Sequence, residues 1–163
     1  MTNKAKTAIA KLEQTSRRKM ALRIWLRILT SSQLIEKEVR SRFRTEFDTT
    51  LPRFDVMAAL AREPKGQTMG DLSRWLLVSS GNITGIISRL QADGLVTRKR
   101  DPADHRTYMV KLSRRGCEEF ERLSSAHERW VKDLLSDMKK EEMAVLDELL
   151  QKVKLSLARA ESP

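Results

Sequence analysis

The chain has 163 residues, of which 33% are charged and 5% aromatic, and its 32 Lys and Arg outweigh 22 Asp and Glu to give a formal net charge of +10. That length holds one domain with a sizeable core and leaves room for a dimerisation extension, while the basic balance points to a polyanionic partner, nucleic acid first and an anionic membrane second. The single cysteine, Cys117, excludes an internal disulfide framework, and the longest apolar run, Val56 to Ala61, is far short of the ~20 residues that span a bilayer.

Residues 1–16 lack the apolar stretch of a signal peptide and read as a flexible basic arm. The expectation is a cytoplasmic protein with no membrane partner. From Arg17 to Phe47 the chain has neither proline nor glycine and reads as one long helix. Its second half carries a stripe of Ile28, Ile35, Val39 and Phe43, but its first half is apolar on several sides, through Leu22, Ile24, Trp25, Leu26, Ile28 and Leu29. A helix buried all round needs partners on both flanks, so one flank is assigned to another subunit.

Pro52 in a first turn and Pro64-Lys65-Gly66 as a stop bracket a second helix, LPRFDVMAALARE. Thr68 and Asp71 have the spacing of a capping box for a third, MGDLSRWLL. A tight turn at Val78-Ser79 follows, and Ser79 can cap a fourth helix, in which Ile83, Ile86, Ile87 and Leu90 share one face. The opposite face is centred on Gly81, Gly85, Ser88 and Ala92. An interior glycine costs about 1 kcal/mol against alanine. Two of them facing outward fit either a large partner that approaches the backbone closely or a packed helix interface. Two short helices about a tight turn form a helix-turn-helix pattern.

Gly94 ends the fourth helix at the position that favours a left-handed residue. LVTRKR and TYMVKL then alternate as the strands of a β-hairpin wing, with Tyr108, Val110 and Leu112 on one face and a charged tip between the strands. Arg89, Arg98, Lys99, Arg100, Arg106, Lys111, Arg114 and Arg115 are opposed in this span only by Asp93, Asp101 and Asp104. Such a run is either a solvated face or an electrostatic footprint for DNA; its coincidence with the glycine-faced helix favours DNA. Ser113 can cap a fifth helix with the stripe Phe120, Leu123, His127, Trp130, Leu134 and Met138. A last helix carries Met143, Leu146, Leu150, Val153 and Leu157, and a terminal helix this apolar needs a partner.

The run Ala92-Asp93-Gly94-Leu95-Val96, the wing DPADHR and the following VKLSRRG resemble the winged helix-turn-helix regulators of the MarR family. The resemblance covers roughly Thr68 to Gly116, and the flanking helices agree in order and length. It implies an intertwined homodimer, with Arg106 entering a minor groove of double-stranded DNA and Asp104 holding that arginine in place. Two departures stand out. Family members often have Thr-Arg in the recognition helix where this chain has Thr84-Gly85, and His105 stands where an arginine is expected. Readout is therefore expected to lean on DNA shape, phosphates and the wing, with a pH-sensitive contact at His105. The expected DNA-binding residues are Ser79, Ser80, Asn82, Thr84, Ser88, Arg89, Arg98, Lys99 and Arg106, with Asp104 as wing support.

Family members commonly hold a small-molecule effector between the dimer helices and the DNA-binding lobe. Here Trp25 offers an aromatic wall and Arg40, Arg44 and Arg53 offer cations for an aromatic carboxylate or an aromatic acyl-CoA. The plainer alternative places Trp25 in the dimer core and leaves the arginines solvated. The run FDTTLPRFDVMAAL is similar to the subgroup that responds to hydroxycinnamoyl-CoA thioesters. No catalytic, metal or cofactor motif is present: His127 reads as a core histidine, and Cys117 lacks a partner thiol.

The expected fold is thus mainly α with a small β-hairpin wing. A winged helix-turn-helix lobe occupies 48–112, and 17–47 with 113–163 form a helical dimerisation region. The expected function is a ligand-responsive repressor and not an enzyme; the alternative is a sequence-tolerant architectural DNA-binding protein, which would show a small ratio of specific to non-specific affinity.

Overall fold

The structure is a computed structural model that describes the backbone of residues 3–100 and 108–160, and side chains from 16 to 100 and from 108 to 159. The wing-tip residues Asp104, His105 and Arg106 lie outside the described residues. Among the described residues, six helices and three short strands run in the order α1 (Asn3–Phe47), α2 (Leu51–Arg62), β1 (Gln67–Thr68), α3 (Met69–Leu76), α4 (Ser80–Ala92), β2 (Val96–Arg100), β3 (Tyr108–Leu112), α5 (Arg114–Leu134) and α6 (Lys140–Ala160). They divide into two compact units, Met1–Phe120 and Glu121–Pro163.

The helix α1 begins at Asn3, earlier than the Arg17 start expected from periodicity, so the backbone read as a flexible arm is helical from that point. Its alanines, lysines, leucine, glutamate and glutamine are strong helix formers even without an apolar stripe. Of the stripe expected on this helix, Val39 and Phe43 are buried, whereas Ile28 and Ile35 are exposed.

The core of the first unit is built from α2, α3, α4 and the strands around the end of α1. Phe43 stacks near Phe54 with centroids 4.8 Å apart, and Phe54 near Phe120 at 5.8 Å. Met57, Leu60, Leu72, Ile83, Ile87, Leu90 and Val110 complete it, all fully buried. The sheet contains one strand more than the hairpin expected: β1 joins β3, with Gln67 opposite Val110, to give the antiparallel order β1-β3-β2. Two residues are too few to show alternation, which is why the sequence carries no signal for this strand.

Several chain punctuations behave as their chemistry dictates. Thr68 Oγ1 accepts from the backbone N–H of Asp71 at 3.1 Å while Thr68 N–H donates to the Asp71 carboxylate, so both arms of the capping box are made. The bond from the Thr68 hydroxyl holds the Asp71 carboxyl below its usual range. Gly94 has φ +71°, and Leu95 N–H reaches Leu90 O as Gly94 N–H reaches Gln91 O, the paired bonds of a Schellman ending. Ser113 Oγ accepts from Gly116 N–H at 2.9 Å and starts α5. Gly116 must be glycine, because a Cβ there would stand 1.9 Å from Leu95 O.

In the second unit, Leu123, Ala126 and Trp130 of α5 are buried. Met138, expected to extend the α5 stripe, falls beyond the end of that helix at Leu134. On α6, Met143, Leu146, Leu150, Val153 and Leu157 are all exposed in the single chain.

Candidate nucleic-acid interface

The DNA-facing candidate is built on α4. Ile83, Ile87 and Leu90 anchor one face of this helix in the core, which forces the small residues outward. Gly81, Thr84, Gly85, Ser88 and Ala92 are all exposed. Among the described residues, a Cβ added at Gly81 or Gly85 would meet no atom within 4 Å, so these glycines are not packed against another described helix. The tight turn before α4 is held by Ser73 Oγ, which donates to Val78 O at 2.6 Å, and Leu77 takes a left-handed φ of 55° there.

Hydrogen bonding divides the expected DNA contacts by what they have left to give. Ser79 Oγ accepts from Asn82 N–H at 3.5 Å as the helix cap, and Ser80 Oγ lies 3.4 Å from Ser73 Oγ. Thr84 Oγ1 donates back to Ser80 O at 2.9 Å, so its proton is spent and the oxygen serves as an acceptor. Ser88, the Asn82 amide and Arg89 are exposed at the same helix surface and retain donors. On the wing, Arg98 and Lys99 are exposed on β2. Asp104 and Arg106, the support and minor-groove residues implied by family resemblance, fall outside the described residues.

Beside α4 lies a groove of about 690 Å³ lined by the last turns of α1, the start of α2 and one flank of α4. Arg40, Arg44 and Arg53 line it together with Lys37 and Arg89, and no carboxylate is among the described residues of the lining. Arg40 is held by Glu36, through contacts of 2.9 and 2.5 Å, and Arg53 bridges to Asp93 at 2.5 Å. Thr49 and Thr50 add hydroxyls, and Thr50 caps α2 without a side-chain hydrogen bond. Trp25 is absent from the lining; it is 56% exposed and stands about 22 Å along the helix from Arg40 at ~1.5 Å per residue. Three of the five cations are those expected around an effector, and Arg89 was expected only as a DNA contact; Lys37 and the hydroxyls of Ser41, Thr45, Thr49 and Thr50 were not expected, because nothing local marks a helix end and a loop as facing the same space.

The groove also includes Asn82, Gly85 and Arg89. Two surfaces treated as separate in the sequence therefore share residues. Near the groove, burial pushes the Asp55 carboxyl up to about 6, with Glu36 adding to the rise and Arg40 opposing it.

Cys117 is an exposed free thiol. His127 is half-buried, and that burial holds it below the ordinary histidine range. Among the described residues no cluster of three or more metal-ligating side chains occurs, and no helix is long and apolar enough to cross a membrane.

A MarR family model matches residues 47–107. The transcriptional activatory protein BadR of Rhodopseudomonas palustris is 32% identical over 107 residues, which are 64% of this chain and 61% of BadR. The crystal structure of a MarR family transcriptional regulator from Silicibacter pomeroyi is 32% identical, with 86% of this chain and 97% of that one covered at a TM-score of 0.73. Mutant MarR from E. coli complexed with operator DNA, 24% identical, shares the fold at a TM-score of 0.71 over 82% of this chain and 95% of that one. The Silicibacter pomeroyi regulator, 32% identical and matched over nearly its whole length, together with the family model falling on the helix-turn-helix and wing, shows that the chain belongs to the MarR family of DNA-binding transcriptional regulators, which are not enzymes.

Proposed function

We propose that the protein is a homodimeric repressor that releases its operator when an anionic ligand occupies the groove beside α4. The observation that carries this reading is the sharing of Asn82, Gly85 and Arg89 between the groove and the exposed face of α4. An anion held there competes with DNA for the same donors and for the same approach to the helix backbone.

Each α4 lies in a major groove, with half-sites about one helical turn, ~10 bp, apart. Ser79, Ser80, Asn82, Thr84, Ser88 and Arg89 face that groove. Arg98 and Lys99 serve phosphates, and Arg106, supported by Asp104, enters the minor groove. Dimerisation is supported by two apolar surfaces. On α1, Leu22, Ile24, Trp25, Leu26 and Leu29 are between 39% and 56% exposed, and the α6 stripe is between 38% and 62% exposed. Burial by a second copy removes that surface from water, and Trp25 then belongs to the interface between copies.

The lining of the groove selects the ligand class. Five cations and four side-chain hydroxyls, with no aromatic residue, suit phosphates better than an aromatic ring. Of the two expected effectors, the acyl-CoA thioester fits this lining and the free aromatic carboxylate does not. BadR is a transcriptional activatory protein, whereas competition at α4 gives this chain the repressor's sign.

The experiment is an operator titration with a hydroxycinnamoyl-CoA thioester and the free acid added separately. The thioester should displace operator, the free acid should not, and Arg44→Ala should raise the thioester concentration needed by about tenfold. Equal displacement of wild type and Arg44→Ala would place the effector elsewhere.

A further inference from the structure

The wing carries a side-chain cluster of which these assignments use only Arg98. Arg100 stands opposite Tyr108 in the β2–β3 ladder, and Arg98 stands opposite Val110 one step closer to the core. The three polar side chains therefore share one face of the hairpin, with Arg98 on the diagonal to Tyr108. Arg100 Nε donates to Tyr108 Oη at 3.2 Å, and the Arg98 guanidinium carbon lies 4.0 Å from the centre of the Tyr108 ring. Both arginines are exposed, and neither is paired with a carboxylate among the described residues.

Two guanidiniums gathered on one phenol repel each other. Their chemistry is complementary to an anion in front of them. The bond through Nε leaves both terminal nitrogens of Arg100 available, and stacking on the ring leaves the in-plane N–H edge of Arg98 open. An arginine fixed this way gives up less rotamer freedom when it binds. The same bond holds the Tyr108 phenol below its ordinary range.

We propose that Tyr108 is a positioning residue of the DNA interface, which holds Arg98 and Arg100 as a preformed pair of phosphate ligands at the base of the wing. This rests on the reading of the protein as a DNA-binding regulator. The contact is to the sugar–phosphate backbone and carries no sequence information.

The test uses full-length protein, a duplex selected from the protein's own genome and a scrambled duplex of equal length, titrated at several salt concentrations. Tyr108→Phe keeps the ring beneath Arg98 and removes only the oxygen. It should weaken binding to both duplexes by the same factor, about three- to tenfold, with an unchanged thermal midpoint. Arg100→Ala should make the salt dependence shallower by about one unit per protomer, and Tyr108→Phe should then have no further effect. Wild-type affinity in Tyr108→Phe, or a loss that adds in full to that of Arg100→Ala, would overturn the assignment while leaving the regulator reading intact. Failure of the wild-type protein to bind either duplex would overturn both.

Discussion

Asp55 shows how a single side chain ties the fold to pH. It sits half-buried on α2 with the Glu36–Arg40 pair nearby, and burial raises its carboxyl from 3.8 to about 6. Between those values the folded protein binds a proton that the unfolded chain does not, so stability is highest at the acid end and falls as pH rises through about 6. Asp55→Asn should therefore raise the thermal midpoint at about pH 7.5, and the gain should shrink toward about pH 4. A gain of equal size at both values would show that burial of the charge is not its origin. Other residues of local effect were legible from sequence alone. Thr68, Asp71, Ser79, Gly94 and Ser113 each make the cap or turn their spacing implies, because those bonds close within a few residues. Tyr108 was legible only as sharing one strand face with Val110 and Leu112; its two arginines follow from the register between strands, which local pattern does not state.

At the scale of elements, α4 joins the lobe's core to its exposed small-residue face. Its apolar face was readable from periodicity, and its small-residue face was recognised as open to either a partner or a packed helix. The open space at Gly81 and Gly85 removes intrachain packing as their reason. Gly85→Ala should raise stability by up to about 1 kcal/mol through helix propensity, yet weaken operator binding. An alanine variant that is both more stable and fully active would show that nothing approaches this face closely. The elements misplaced or missed from sequence share one physical cause. The start of α1 has helix-forming residues without amphipathic period, and β1 is two residues long and pairs with a strand some forty residues away. Neither leaves a periodic trace. The groove is hidden for a related reason, since it is assembled from three elements separated in the chain.

At the scale of the molecule, the winged lobe is the part that a single chain can complete, because its core residues bury one another. The long helices differ. The apolar positions from Leu22 to Ile35 on α1 and those on α6 were evident in the sequence and remain exposed in the isolated chain, which is the pattern of surfaces finished by a second copy. Charge distribution joins the lobe to its partner. Five cations in the groove and the arginines of the wing lie on the unit that carries α4, so the excess positive charge serves a local surface as well as general attraction. General attraction alone would describe an architectural binder. The measurement that separates the two is the affinity for a genome-selected duplex and for its scrambled counterpart at the same salt concentration. Sequence-specific regulation predicts a ratio of at least about a thousandfold; comparable affinities for the two duplexes would contradict it.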